Sequence, residues 1–163
     1  MLTRTDNRSL LEAVQAFLFK EARLQDEHQY KAWEELWTDD AIYWVPANGD
    51  DIDPEREMSI IYDNRSRIAL RVKQLMTGKH FTQSPQSRLR RIVSNIEVMG
   101  EAGDDIAVAS NSMIFESSLR DDTIWAAHNE YRLRHADGGL RMAYKKVTLV
   151  NNDKALYTLS FLV

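Results

Sequence analysis

The sequence predicts an α+β domain in which three helices pack on one face of a strongly curved, mainly antiparallel sheet. Two observations carry that prediction. Up to about Met76 the apolar residues recur every three or four positions, the period of a helix face, whereas after Pro85 they alternate in extended runs. The runs are also joined by turn clusters too short to hold a crossover helix, so successive strands must be antiparallel neighbours. Helices first and a long meander second is the pattern of segregated layers. With 163 residues, the chain is predicted to form one domain, 1–163, with 1–8 as a flexible N-terminus.

The elements follow in order. Ser9 and Glu12 have the spacing of a capping box, and Leu10, Leu11, Val14, Phe17, Leu18 and Leu24 continue the apolar face of a first helix to about Arg23–Asp26. Asp26 and Gln29 are placed to cap a second helix, whose Tyr30, Trp33, Leu36 and Trp37 form an aromatic stripe assigned to the core. Ala41 to Val45 reads as a short strand that ends at Pro46, which has no N–H to donate. A third helix is predicted from about Ser59, through Ile61, Arg65, Ile68, Val72 and Leu75 or Met76, to a left-handed cap at Gly78. Five strands are then expected: Leu89–Met99, Ile106–Ser118, Thr123–His135, Leu140–Val150 and Leu156–Val163.

Composition excludes several functions. The absence of cysteine rules out disulfides, a thiol nucleophile and a thiolate-held cluster within this chain. A net charge of −4 argues against nucleic acid as a partner. No leader-like apolar stretch and no run long enough to span a bilayer is visible, so no membrane partner and a cytoplasmic setting are expected. The acidic loop containing Asp51, Asp53 and Glu55 fails the calcium-loop pattern, because the sixth and twelfth positions hold Arg56 and Tyr62. GxSxG, HExxH and phosphate-loop signatures are absent.

Two sets of side chains remain as candidates. His128 and His135 lie seven residues apart, on opposite faces of an unbulged strand, so they do not make the two-histidine half of an iron site, and no metal is expected here. If helices folded over the sheet leave a cavity, Asp40, Tyr43, His80, Asn111 and Tyr131 could line it and perform proton transfer. The second set is basic. In Ser87–Glu101, strict alternation puts Ile92, Ile96 and Val98 on one face and Leu89, Arg91, Val93, Asn95 and Glu97 on the other, so arginines occupy both faces. Arg88, Arg90, Arg91, Arg132 and Arg134, interleaved with acids, suit a subunit interface better than a phosphate track.

Several stretches together resemble the small (β) subunits of aromatic-ring-hydroxylating dioxygenases, the Rieske non-haem iron oxygenases: FLFKEARLQDEHQYKAWEELWTDDAIYWVP, MSIIYDNRSRIALRVKQL, SRLRRIVSNIEV, NEYRLRH and KKVTLVNNDKALYTLSFLV. Within the family, MSIIYDNRSRI and LYTLSFLV look most like subunits serving benzoate-, anthranilate- or salicylate-type acids. The resemblance implies a cone-shaped fold like nuclear transport factor 2 (NTF2), no catalytic, metal or cofactor residue in this chain, and a structural role beside a large (α) subunit. That partner would hold a Rieske [2Fe–2S] cluster and a mononuclear Fe(II), in an α3β3 assembly with a homotrimer of small subunits at its base. The alternative is a stand-alone pocket enzyme of the isomerase or dehydratase type, or a small-ligand-binding domain.

Overall fold

The computed structural model describes residues 3–47, 53–55, 59–77, 86–152 and 161–163. Its elements are α1 (Arg4–Asp26), α2 (Tyr30–Glu34), β1 (Trp37–Pro46), β2 (Ser59–Asn64), α3 (Arg65–Met76), β3 (Arg88–Ala102), β4 (Asp105–Ser117), β5 (Asp122–Ala136) and β6 (Gly139–Leu149). The described strands form a sheet of order β2-β1-β6-β5-β4-β3, antiparallel throughout except where β1 runs parallel to β6. The helices cover its concave face, as the order of periodicities predicts.

Differences from the expected elements have local causes. Helix α1 starts at Arg4 rather than after Ser9, because Thr3 and Asp6 make the capping box: the Thr3 oxygen accepts from the Asp6 N–H, and the Asp6 carboxylate accepts from the Thr3 N–H. Glu12 instead reaches Arg8 one turn back. Helix α2 has no side-chain cap and stops at Glu34, so Leu36 lies in a turn and Trp37 opens β1. The helix predicted from Ser59 is a strand up to Asn64, whose side chain accepts from the Arg67 N–H at 3.0 Å and starts α3 there. Ile61 and Ile68 keep helical spacing across that boundary, which hides it. The expected cap at Gly78 lies outside the described residues, as does most of the fifth predicted strand; Phe161–Val163 is buried irregular chain, not sheet.

The aromatic stripe is core. Trp33 and Trp37 meet edge-to-face with ring centroids 5.4 Å apart, and Tyr43 of β1 packs on both. Val14, Phe17 and Leu18 of α1 and Ile68 and Val72 of α3 join them with the inward residues of the sheet.

Strand β3 resolves the arrangement of arginines. It is an edge strand, and its ladder with β4 slips between Ser94 and Glu97, where Asn95 takes a left-handed φ of 53°. That bulge reverses the alternation: Leu89, Arg91 and Val93 before it and Ile96 and Val98 after it all turn toward the helices, while Ile92 is exposed. Arg91 therefore points inward. Its side chain is 3% exposed and pairs with Asp26, itself 6% exposed, Nε donating to Oδ1 at 2.7 Å. The other carboxylate oxygen accepts the Arg91 backbone N–H at 3.0 Å, which occupies a donor on the free edge of the sheet. Asp26 is thus diverted from capping α2, and His28, at a positive φ of 56°, makes the turn instead. Arg91 Nη2 also donates to the Leu162 carbonyl at 3.1 Å, fastening the buried tail to the same point.

Because both partners are almost wholly out of water, removing one leaves an uncompensated charge. Asp26→Ala is expected to lower stability by about 3–5 kcal/mol in urea unfolding, against the ~0–1 kcal/mol typical of an exposed pair. A loss in the lower range would show that the pair is not closed off as described.

Candidate functional site

Two charged residues inside the cone, Glu21 and Lys145, are ones that sequence reasoning missed. On the buried stripe of α1, Val14, Phe17 and Leu18 are followed by Glu21, 2% exposed, and on the buried alternation of β6, Ala143, Val147 and Leu149 enclose Lys145, also 2% exposed. They meet: Lys145 Nζ donates to Glu21 Oε2 at 2.8 Å. Trp33 Nε1 donates to the same oxygen at 3.1 Å, and Tyr131 OH donates to Oε1 at 2.8 Å. Glu21 thus gathers α1, α2, β5 and β6, and both of its oxygens are engaged. The Tyr43 and Tyr131 rings lie 5.9 and 5.4 Å from the ammonium, giving it two π faces as well. Sequence did carry a signal for both, since a lone charge on an otherwise apolar face demands a buried partner.

Electrostatics agree with a closed interior. Burial pushes the Lys145 ammonium down against the pull of Glu21. Burial, and then the negative charge of Glu21, push Tyr131 well above the ordinary tyrosine value, so it stays a neutral donor. Tyr43 is raised by burial in the same way; its hydroxyl donates to the Val163 carbonyl at 2.9 Å and accepts from the Val163 N–H at 3.2 Å. Gln25 donates to that carbonyl too, at 3.2 Å.

The four pocket candidates among the described residues do not converge. Tyr43 and Tyr131 lie inside, both beside Lys145. Asp40, with a 65% exposed side chain, faces outward on β1, where Arg134 first and Thr38 second hold its carboxyl below the usual carboxylate range. Asn111 is exposed on β4 and bonds His128 across the strand pair, and His80 lies outside the described residues. His128 and His135 do not share a site, and among the described residues no group of histidines and carboxylates is arranged to hold a metal ion.

The interface candidates also divide. Arg91 is the correction, because it is consumed inside the fold by Asp26. Arg134 joins Asp40 and Asp105, with Nε 2.7 Å from Asp105 Oδ1. Arg132 lies over the Tyr144 ring, 5.8 Å from its centroid, on the convex face. Arg88 and Arg90 are exposed and form no ion pair with a described residue. They flank a shallow hollow of about 540 Å³ beside the exposed rings and chains of Phe115 and Ile124. A larger open groove, about 1130 Å³, lies where the first turns of α1 pass the β3–β4 hairpin.

A cone of three helices on a bent sheet defines the class. An NTF2-like protein with a cystatin-like fold from Novosphingobium aromaticivorans shares it, with a TM-score of 0.57 over 93% of this chain and 92% of that one, at 17% identity, a likeness of fold alone. The family follows from sequence. The family model described as "Ring hydroxylating beta subunit" matches residues 20–153, and the chain belongs to that family, the β subunits of aromatic-ring-hydroxylating dioxygenases. It is 32% identical over 138 residues to the small oxygenase component of the p-cumate 2,3-dioxygenase system of Pseudomonas putida, covering 83% of this chain and 77% of that one. The crystal structure of the β subunit of benzoate 1,2-dioxygenase from Burkholderia mallei superposes with a TM-score of 0.73 at 25% identity, over 98% of this chain and 99% of that one.

The interior cluster gives a test in two steps. Lys145→Met alone leaves Glu21 buried without its counter-charge and is expected to cost about 3–5 kcal/mol in denaturant unfolding. Adding Glu21→Gln removes the stranded charge and should recover most of that loss. A double variant no more stable than the single would contradict a paired, water-free site.

Proposed function

We propose that this chain is the non-catalytic assembly subunit of an oxygenase that dihydroxylates an aromatic acid. The observation that carries the proposal is the family match over residues 20–153. Relatives named for p-cumate and benzoate support a carboxylated aromatic substrate, consistent with the resemblance of the MSIIYDNRSRI and LYTLSFLV stretches. The geometry supports the assembly role from another side: Glu21, Lys145, Tyr131 and Tyr43, the groups a pocket enzyme would use, are committed to one another or to the tail. Asp40 and Tyr43 face opposite sides of β1, which gives the proton-transfer alternative no shared centre.

In this reading the large subunit carries a Rieske [2Fe–2S] cluster and a mononuclear Fe(II), and those metals supply the oxygenation, with electrons from a separate reductase. This chain contributes a stiff cone and an outer surface, Arg88, Arg90 and Arg132 included, that hold the iron-bearing subunits in register. The assembly is α3β3, with three small subunits at its base, in the cytoplasm. Among the described residues, no helix is long and apolar enough to cross a membrane.

A tagged copy purified from its own cells should bring down a larger polypeptide in equimolar amount, with about three irons per pair by metal analysis. The isolated chain should bind no iron and leave benzoate unchanged. Turnover of an aromatic acid by the isolated chain, abolished by His80→Ala, would overturn the proposal.

A further inference from the structure

The two ends of β3 carry opposite charge around matching apolar surfaces. Near its start, Arg88 and Arg90 stand exposed; Arg90 pairs across the ladder with Phe115, and Phe115 with Ile124, which are 40% and 60% exposed, while the two carboxylates of the same hollow are engaged locally, Glu116 by Ser87 and Trp125 and Asp122 by Ser117. Near its end, the larger groove has an apolar floor of Leu10, Leu11, Ile96 and Val98 and a rim that includes Glu97, Glu101 and Asp104. Those three acids are exposed and form no ion pair with a described residue. At a strand rise of ~3.3 Å per residue, Arg90 and Glu101 of one copy lie some tens of ångströms apart, too far to meet. They can meet between copies.

We infer that the acidic groove beside the β3–β4 hairpin receives the Arg88–Arg90 end of a second copy of this chain, head to tail. The inference rests on the assembly reading above and assigns the surfaces through which its small subunits associate. A contact between two different patches of identical chains is heterologous, and it leaves no patch unused only if it closes into a ring; the assembly reading puts closure at three. The patches suit an interface, with apolar centres, an arginine fork on one side and carboxylates on the other. Docking is through side chains rather than strand addition, because the free edge of β3 is bulged at Asn95 and Gly100 and the Arg91 N–H is occupied by Asp26. Charge complementarity also disfavours an isologous contact, which would set arginines against arginines or carboxylates against carboxylates.

The test is native mass in solution, for the chain alone and for its complex with the large subunit. Glu97→Arg with Glu101→Arg, and separately Arg88→Glu with Arg90→Glu, should each lower the mass of the isolated chain from three copies to one, with an unchanged circular dichroism spectrum. All four substitutions in one chain reverse both patches together and should restore three copies. If a reversal disturbs folding, Glu97→Gln with Glu101→Gln carries the same test, with at least tenfold weaker association expected. Reversals that leave three copies intact overturn the inference and spare the assembly reading. Variants that stay trimeric yet release the large subunit overturn it by assigning the groove to that partner. A wild-type chain that is a single copy alone and in the complex also overturns it, whereas a wild-type chain that binds no large subunit overturns the assembly reading itself.

Discussion

The two-point bond between Asp26 and Arg91 joins the end of the helix layer, the edge of the sheet and the tail at a single point. Asp26 is the last residue of α1, Arg91 lies on the edge strand of the sheet, and the guanidinium passes on to the Leu162 carbonyl in the tail. The cone closes only if the helix layer is held at the sheet edge, and that edge is where an unsatisfied backbone would otherwise meet water or another strand. One carboxylate meets both needs, binding the side chain with one oxygen and the edge N–H with the other. A lysine could not replace the arginine, because an ammonium lacks the planar fork that reaches a carboxylate and a carbonyl from one centre.

Closure fixes what the interior can be. Once α1 is held down, Glu21 lies among Trp33, Tyr131 and Lys145, and each polar atom in that group has a partner. A buried pair of this kind adds little net stability over an apolar core of the same shape, but it penalises any packing in which the partners miss one another. Four elements converge on Glu21, so the pair selects one arrangement of helices on the sheet. The outer surface is then what remains for contacts with other subunits, as the assembly reading requires.

Sequence patterns revealed some of this directly. The four strands β3 to β6 were legible to within three residues at each end because alternation and turn clusters are local signals, and Trp33 and Trp37 were legible as core. Strand β2 was not, since Ile61 and Ile68 satisfy a helical period by chance and only the Asn64 cap marks the change. The bulge at Asn95 was also hidden. A left-handed residue that is not glycine leaves no mark in alternation, yet it decides that Arg91 faces inward and Ile92 outward. The capping role read for Asp26 failed for a related reason: a carboxylate at a helix end suits a cap, an ion pair or a strand edge, and only the tertiary fold selects among them. Glu21 and Lys145 were within reach of the sequence, each a charge on a largely apolar face, but their partnership spans 124 residues and no local spacing marks it.

On the assembly reading, the polar interior shapes this subunit and takes no part in the chemistry of the oxygenase. It is tested most directly by the turnover per bound iron of the whole complex carrying Glu21→Gln and Lys145→Met together. The expected rate per iron is within about twofold of that of the unaltered complex, with any loss confined to yield or thermal stability. An intact complex with full iron content whose turnover fell by a hundredfold, a deficit of ~3 kcal/mol in the barrier, would contradict it.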